Sequence, residues 1–429
     1  MSDEILHDHS ADGIDRRGFL KCMAWAGTGA LWAVQGGVLR SVAVDGRVGA
    51  AVEAMKGALV FAQISDSHIG FNKAANPDVT ATLQEAVDRL NRLPVRPAFV
   101  LHTGDITQLS KPAEFDTADQ VIRGIRTDRV FYVPGEHDVL EDNGRQYLER
   151  HGRKTRGNGW YSFDHGGAHF VGLVNVLDLK AGGLGNLGAE QLDWLRRDLA
   201  GRSASTPIVL FAHVPLWSVY PDWGWGTDDG AQALALCRRF GSVTVLNGHI
   251  HQVMQKTEGN VVFHTALSTA FPQPAPGTAP SPGPLTVEPG RLRSMLGLTN
   301  VTYRQGAGSL AIVDSPLGVA PPMAAGAAVM PSRADTGHGS TPAVVGDAQV
   351  IRIDNFSFNP PELRLPRGGK VMWINADDVP HLIASADGRF RASGALDTGG
   401  QYVLTLDTPG TYSYFCTLHP RMTGRIVVT

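Results

Sequence analysis

Between residues 59 and 251 of this 429-residue chain, short apolar runs stop repeatedly at residues able to bind metal or move protons. Leu59 to Ile64 leads into Asp66, Ser67 and His68, and Ala98 to Leu101 leads into Gly104 and Asp105. Val130 to Val133 leads into Gly135, Glu136, His137 and Asp138. Ile208 to Ala212 leads into His213, and Val243 to Leu246 into Gly248, His249, Ile250 and His251. Buried strands that end in glycine, acid and histidine deliver chemistry to their tips. In an extended segment residues two apart point the same way, so Asp66 with His68, and His249 with His251, are expected to present paired ligands. Carboxylates and imidazoles at this density suit a pair of first-row metal ions.

A different donor set lies near the C-terminus. Cys416, His419 and Met422 share one short loop, and His381 follows Asp377, Asp378, Val379 and Pro380 upstream. A soft thiolate, two imidazoles and a thioether as weak axial ligand are what a blue-copper electron-transfer site requires.

The first donor set needs strands with covered faces. Val79, Leu83, Val87 and Leu90 recur at helical spacing within 78–93, and 113–125 and 189–199 are patterned likewise. Strands alternating with helices imply crossover connections and an α/β fold. Residues 349–429 differ: short alternating runs at 350–353, 370–374, 402–406 and 426–428 predict a small all-β sandwich or barrel. Between the two, 318–346 is rich in Ala, Gly and Pro and reads as a flexible linker. The expected division is 1–50, a targeting segment; 58–317, the larger domain; the linker; and 347–429, the smaller domain.

The ordered set Asp66, His68, Gly104, Asp105, Gly135, Glu136, His137, Asp138, His213, Gly248, His249 and His251 resembles the calcineurin-like metallophosphoesterases. That resemblance implies two packed β-sheets flanked by helices, with the ligands gathered on one rim. It implies one metal on Asp66, His68, Asp105 and His251, and a second on Asp105, Glu136, His213 and His249, with Asp105 bridging. Hydrolysis of a phosphate mono- or diester would proceed through a metal-bridging hydroxide, with His137 serving the leaving group or the phosphoryl oxygens and Asp138 orienting a neighbour. The metals implied are divalent or mixed-valence, drawn from Fe, Mn and Zn. The family usually has Asn where this chain has Glu136, which alters the charge of the site. The second set, His381, Cys416, His419 and Met422, resembles the cupredoxins, its loop spacing being most similar to amicyanin. A Greek-key barrel holding one copper, and a redox partner for it, are implied.

Other histidines and aromatics carry weaker signals. His165 and His169 fall in a hairpin-like region and read as structural, and His102 as a satisfied core histidine. Cys237 reads as a buried thiol. Trp217, Tyr220, Trp223 and Trp225 follow His213 in a loop that forms either an aromatic wall of the substrate cleft or an anchor to the core.

Composition sets the outer limits. Hydrophobic content of 43% with 18% charged residues describes a folded protein, and a net charge of −3 offers no global field for bulk nucleic acid. Three cysteines make no disulfide framework. Arg16 and Arg17, followed by Gly18, Phe19, Leu20 and Lys21 and an apolar run from Cys22 to Val34, resemble a twin-arginine export signal. Ser41, Val42 and Ala43 offer a cleavage site and the Ala50, Ala51 region a second; a short N-terminal helix or uncleaved anchor is the alternative. The expectation is a periplasmic or extracellular protein, carried by the twin-arginine machinery and without a stable membrane span once mature. A competing reading makes the chain an electron-transfer or copper-handling protein with the phosphoesterase fold as scaffold.

Overall fold

The computed structural model describes residues 30–35, 38–43, 57–140, 142–288, 290–305, 310–319, 344–345 and 347–429. Arg16 and Arg17, and most of the 318–346 linker, lie outside the described residues. Ala30–Gln35 and Val38–Ala43 pair as a two-stranded antiparallel ribbon, which takes in the end of the apolar run and Ser41 to Ala43. No described helix is long and apolar enough to cross a membrane.

The larger domain is built on two sheets. One has the order Ala311–Pro316, Gly297–Tyr303, Leu59–Ile64, Val100–His102, Val130–Tyr132; the other runs Gln255–Glu258, Val261–Thr265, Val243–Asn247, Ile208–Phe211, Ala168–Gly172, Tyr161–His165. Period-two alternation decides how each strand is covered. In Leu59–Ile64, Leu59 and Phe61 face the other sheet, where they meet Phe170, Val209, Phe211 and Leu246. Ala62 and Ile64 face outward, under Leu83, Val87, Phe115 and Ile122 of the helices Val79–Asn91 and Pro112–Ile122. The second sheet repeats the scheme: Val209 and Phe211 point inward, whereas Ile208 and Leu210 lie under Leu192, Leu195 and Cys237 of Ala189–Leu199 and Gly230–Cys237. The result is helix, sheet, sheet, helix. Its parallel pairs, Leu59–Ile64 with Val100–His102 with Val130–Tyr132, and Ala168–Gly172 with Ile208–Phe211 with Val243–Asn247, bring their C-terminal ends to one rim.

The smaller domain is a two-sheet all-β fold. Val344–Val345, Ala348–Ile353, Gly369–Asn375 and Gln401–Leu406 form one sheet, and Glu362–Leu365, Thr423–Val428, Gly410–Cys416 and Ile383–Ser385 the other. Between them Trp373 meets Tyr414 edge to face at 5.2 Å, amid Ile351, Val371, Ile383, Leu406 and Ile426. The two domains touch. Gly182 N–H donates to Pro420 O at 2.5 Å, Arg421 Nη1 donates to Gly182 O at 2.8 Å, and Ser281 Oγ donates to Asn355 Oδ1 at 2.6 Å. Leu140 packs against the core of the smaller domain.

Candidate metal centres

The residues leaving the sheet tips do not continue as extended chain. Asp66, His68, Asp105, His249 and His251 all have left-handed backbones, with φ of 54°, 40°, 50°, 71° and 52°. This corrects the expectation that Asp66 with His68, and His249 with His251, face one way because they are extended. Each strand stops first, and a sharp turn then aims the side chains. Such backbones cost of order 1–3 kcal/mol each and persist where the surroundings over-determine them. Glycine is required alongside: a Cβ on Gly135 would collide with Asp105 Oδ1, and one on Gly248 with Ser65 Oγ.

The turns bring every ligand inferred for the larger domain into one buried cluster. His68 Nε2 lies 3.2 Å from His251 Nε2 and 3.5 Å from Asp105 Oδ2. His251 Nε2 is 3.4 Å from Asp66 Oδ1. On the other side His213 Nε2 is 3.3 Å from Asp105 Oδ2 and 3.0 Å from Glu136 Oε2, and His249 Nδ1 is 2.9 Å from Glu136 Oε1. Asp105 Oδ2 therefore stands between the two halves. Its other oxygen accepts the His137 N–H at 3.0 Å, which fixes the carboxylate.

Hydrogen bonding tests whether these donors fit metal. His68 Nδ1 donates to Gln108 Oε1 at 2.9 Å, His213 Nδ1 to Thr103 O at 2.7 Å, and His251 Nδ1 to Phe271 O at 2.6 Å. With Nδ1 so committed, each Nε2 is left to point into the cluster at the Nε2 or carboxylate oxygen of another ligand candidate, an arrangement that a cation between them would satisfy. Asp66 Oδ2 and Glu136 Oε2 are also buried without a hydrogen bond. Burial alone would push Glu136 up, but His249 and His213 hold it well below the usual carboxylate range. Burial holds His68 neutral, down at about 3. The residues fit a pair of cations.

His137 is buried beside these ligand candidates, and lines one cavity with His68, Asp105, Glu136, His249 and His251. Its Nδ1 donates to Gln108 O at 2.8 Å, and its ring stands edge-on to His68 at 4.7 Å. Asp138 works on the backbone: its carboxylate accepts from the N–H of Gly135 at 2.9 Å, Ile106 at 3.1 Å and Thr107 at 2.9 Å, tying the Glu136 turn to the Asp105 turn. Burial, then the charge of Asp105, pushes Asp138 up to about 7. His102 Nε2 lies 2.8 Å from Ser67 Oγ, and His169 is held between Asp164 at 2.8 Å and Asp198 at 2.6 Å, outside the cluster. His165 is exposed and Cys237 buried. Trp223 and Trp225 line the cavity, whereas Trp217 packs on Phe263 at 4.8 Å.

In the smaller domain His381 Nδ1, His419 Nδ1 and Cys416 Sγ form a near-equilateral triangle with edges of 3.3, 3.5 and 3.6 Å. One soft and two imidazole donors at such spacing fit a trigonal copper site. Met422 is buried beside them; its N–H donates to His419 O at 2.8 Å and its carbonyl accepts the Cys416 N–H at 3.1 Å. Sequence reasoning missed four supports: Gln108, Thr103, Phe271 and Asp377. His381 Nε2 donates to Asp377 Oδ2 at 2.8 Å, which leaves Nδ1 for the metal. Burial would lower His381, but Asp377 and Cys416 outweigh it and push the ring up to about 9. Asp377→Ala is expected to weaken copper binding ~10–100-fold, the usual loss when a ligand histidine loses its carboxylate partner; competition with a copper chelator measures it. Asp377 had a sequence signal, being four residues before His381.

Two family models match. The calcineurin-like phosphoesterase model covers residues 59–253 and the cupredoxin-like domain model residues 329–428, a start that falls within the Ala/Gly/Pro-rich stretch. The larger domain is thus a calcineurin-like phosphoesterase, a metal-dependent phosphoric ester hydrolase, and through the smaller domain the chain belongs to the cupredoxins. Amicyanin of Paracoccus versutus is 36% identical over 91 residues, 20% of this chain and 67% of that protein. Amicyanin of Paracoccus denitrificans is 37% identical over 89 residues, 20% of this chain and 68% of that protein. Glycerophosphodiester phosphodiesterase GpdQ of Enterobacter lignolyticus is 27% identical over 229 residues, 50% of this chain and 79% of that protein.

Proposed function

We propose that the chain is an exported phosphodiesterase with a dinuclear metal centre, carrying a type 1 copper domain on the rim of its active site. The observation that supports it best is the convergence of three imidazole Nε2 atoms, each with its Nδ1 committed elsewhere, and three carboxylates, Asp66, Asp105 and Glu136, in one buried cluster. Asp66, His68, Asp105 and His251 would hold one ion, and Asp105, Glu136, His213 and His249 the other. Metal ions bound there supply Lewis-acid activation of water and charge stabilisation at the phosphoryl group.

The chain's own residues do the rest. Gln108, Thr103 and Phe271 fix the tautomers and ring directions of three ligands, so little reorganisation accompanies reaction. His137, with its Nδ1–H donated to Gln108 O, has Nε2 left for the leaving-group oxygen, to which it would give a proton when the ring is an imidazolium. An adjoining cavity of about 190 Å³, lined by Glu136, His249, Val176, Val214 and Trp223, gives the ester a route to the ligands. Diester over monoester is favoured by Glu136. A third carboxylate lowers the positive charge that would hold a dianionic monoester, while a monoanionic diester suffers less. Copper would be held by His381, Cys416 and His419 with Met422 as weak axial donor. Export rests on Arg16, Arg17 and the apolar run after them.

The test is hydrolysis of glycerophosphodiesters against matched monoesters by the full chain. Higher kcat/KM for diesters is expected, with Glu136→Asn narrowing the gap. Hydrolysis of monoesters alone would overturn the assignment.

A further inference from the structure

The two metal-binding clusters are neighbours. One cavity of about 30 Å³ is lined by Asp105, Glu136, His137 and His249 from the larger domain and by Phe356 and His419 from the smaller. A water needs about 10–15 Å³, so the space that both ligand sets line has room for only a few waters. Both walls are pinned. Pro420 and Arg421, next to His419, bond to Gly182, and Leu140, just after the Glu136 to Asp138 turn, packs into the smaller domain's core. Phe356 lines the cavity from the copper side, its ring 4.6 Å from His419 and 5.5 Å from His381. A copper-binding loop serving a separate partner would have no need to face the hydrolytic ligands.

We propose that the two centres form one redox unit, in which a single electron passes between copper held by His381, Cys416 and His419 and a redox-active ion held by Glu136, His213 and His249, across the cavity between His419 and Glu136. This rests on the dinuclear reading above. Tunnelling weakens exponentially with separation, and this placement makes the separation short. Glu136 adds a second reason. With Asp66 and Asp105 it sets the ligand charge at −3, so two divalent ions leave +1, whereas a trivalent and a divalent ion leave +2. An extra carboxylate therefore favours the trivalent state of an ion such as iron. In the exchange Cu(I) becomes Cu(II) as the trivalent ion becomes divalent; no bond forms or breaks and no proton need move. Reduction lowers the charge facing the ester by one unit, so the copper state would set hydrolytic affinity.

The experiment uses the full chain with copper in the Cys416 site and either iron or zinc in the other. Under anaerobic conditions the fully reduced protein receives one equivalent of ferricyanide, and the blue absorbance and electron paramagnetic resonance are followed. The iron form is expected to share the oxidising equivalent between the centres, losing part of the blue colour shown by the zinc form, and its Cu(II) spins are expected to relax faster. Arg421→Glu, which breaks the Gly182 contact, is expected to slow the sharing and reduce the relaxation effect. Equal blue colour and equal Cu(II) relaxation with iron and with zinc would overturn the proposal. If the zinc form still hydrolyses diesters in that case, the phosphodiesterase reading stands alone; a chain that takes up neither iron nor zinc overturns both.

Discussion

Replacing His137 by alanine is expected to leave the metal content of the larger domain unchanged and to lower kcat by ~10²–10⁴-fold, the usual contribution of a general acid. The argument is one of position. Glu136 Oε1 and Oε2 reach His249 and His213, and Asp105 Oδ2 lies between His68 and His213, so both proposed metal positions have a full set of candidate ligands without His137. The His137 N–H that fixes Asp105 belongs to the backbone and survives the substitution. What is lost is a ring whose Nδ1 is anchored on Gln108 O and whose free nitrogen faces the cavity. His137 also lies near enough to His68 and Asp105 to act as a ligand, and metal analysis of His137→Ala separates the two roles. Loss of one ion with the side chain would make it a ligand; full loading with unchanged turnover would remove it from the mechanism.

The second large effect is spectroscopic. Cys416→Ser is expected to abolish the blue colour of the oxidised protein outright, because the colour comes from the copper–thiolate bond and a serine oxygen supplies no such bond. Burial would push the Cys416 thiol up, yet His381 holds it below the usual range, so the thiolate is favoured where it is needed. Diester hydrolysis by a zinc-loaded Cys416→Ser chain should persist, since Cys416 lies in the other ligand set. Visible absorption with metal analysis decides the matter: a blue Cys416→Ser protein, or a colourless Cu(II) complex of the unmodified chain, would refute the site.

The candidate ligands stood out because metal chemistry restricts their types, and the strand tips because apolar runs such as Leu59–Ile64 and Ile208–Phe211 give way to polar residues. Helix positions followed from periodicity: Ala189–Leu199 falls where expected, and Val79–Asn91 begins where Asp78 accepts the Ala81 N–H. The turn geometry was not legible. Left-handed Asp66 and His68 carry no local signal, since their conformation is imposed by backbone bonds from Asp66 and His68 to Gly104 and Asp105. Gln108 and Phe271 were invisible for a similar reason: one offers a side-chain amide and the other a carbonyl, and only the fold brings them to a histidine. Strands such as Gln255–Glu258, wholly exposed and without alternation, give pattern reading nothing to hold. Above all, no periodicity or motif says where one domain rests on another, so the shared cavity between His419 and Glu136 had no trace in the chain.

The most direct test of the central claim, metal-dependent ester hydrolysis at the Asp105 cluster, is a metal titration of the chelator-stripped full chain, with bound metal and diester hydrolysis measured on the same samples. The account predicts negligible hydrolysis without metal, full rates only as the second ion per larger domain binds, and loss of both binding and activity in Asp105→Ala. Hydrolysis that survives chelation, or that is unaffected by Asp105→Ala, would contradict it.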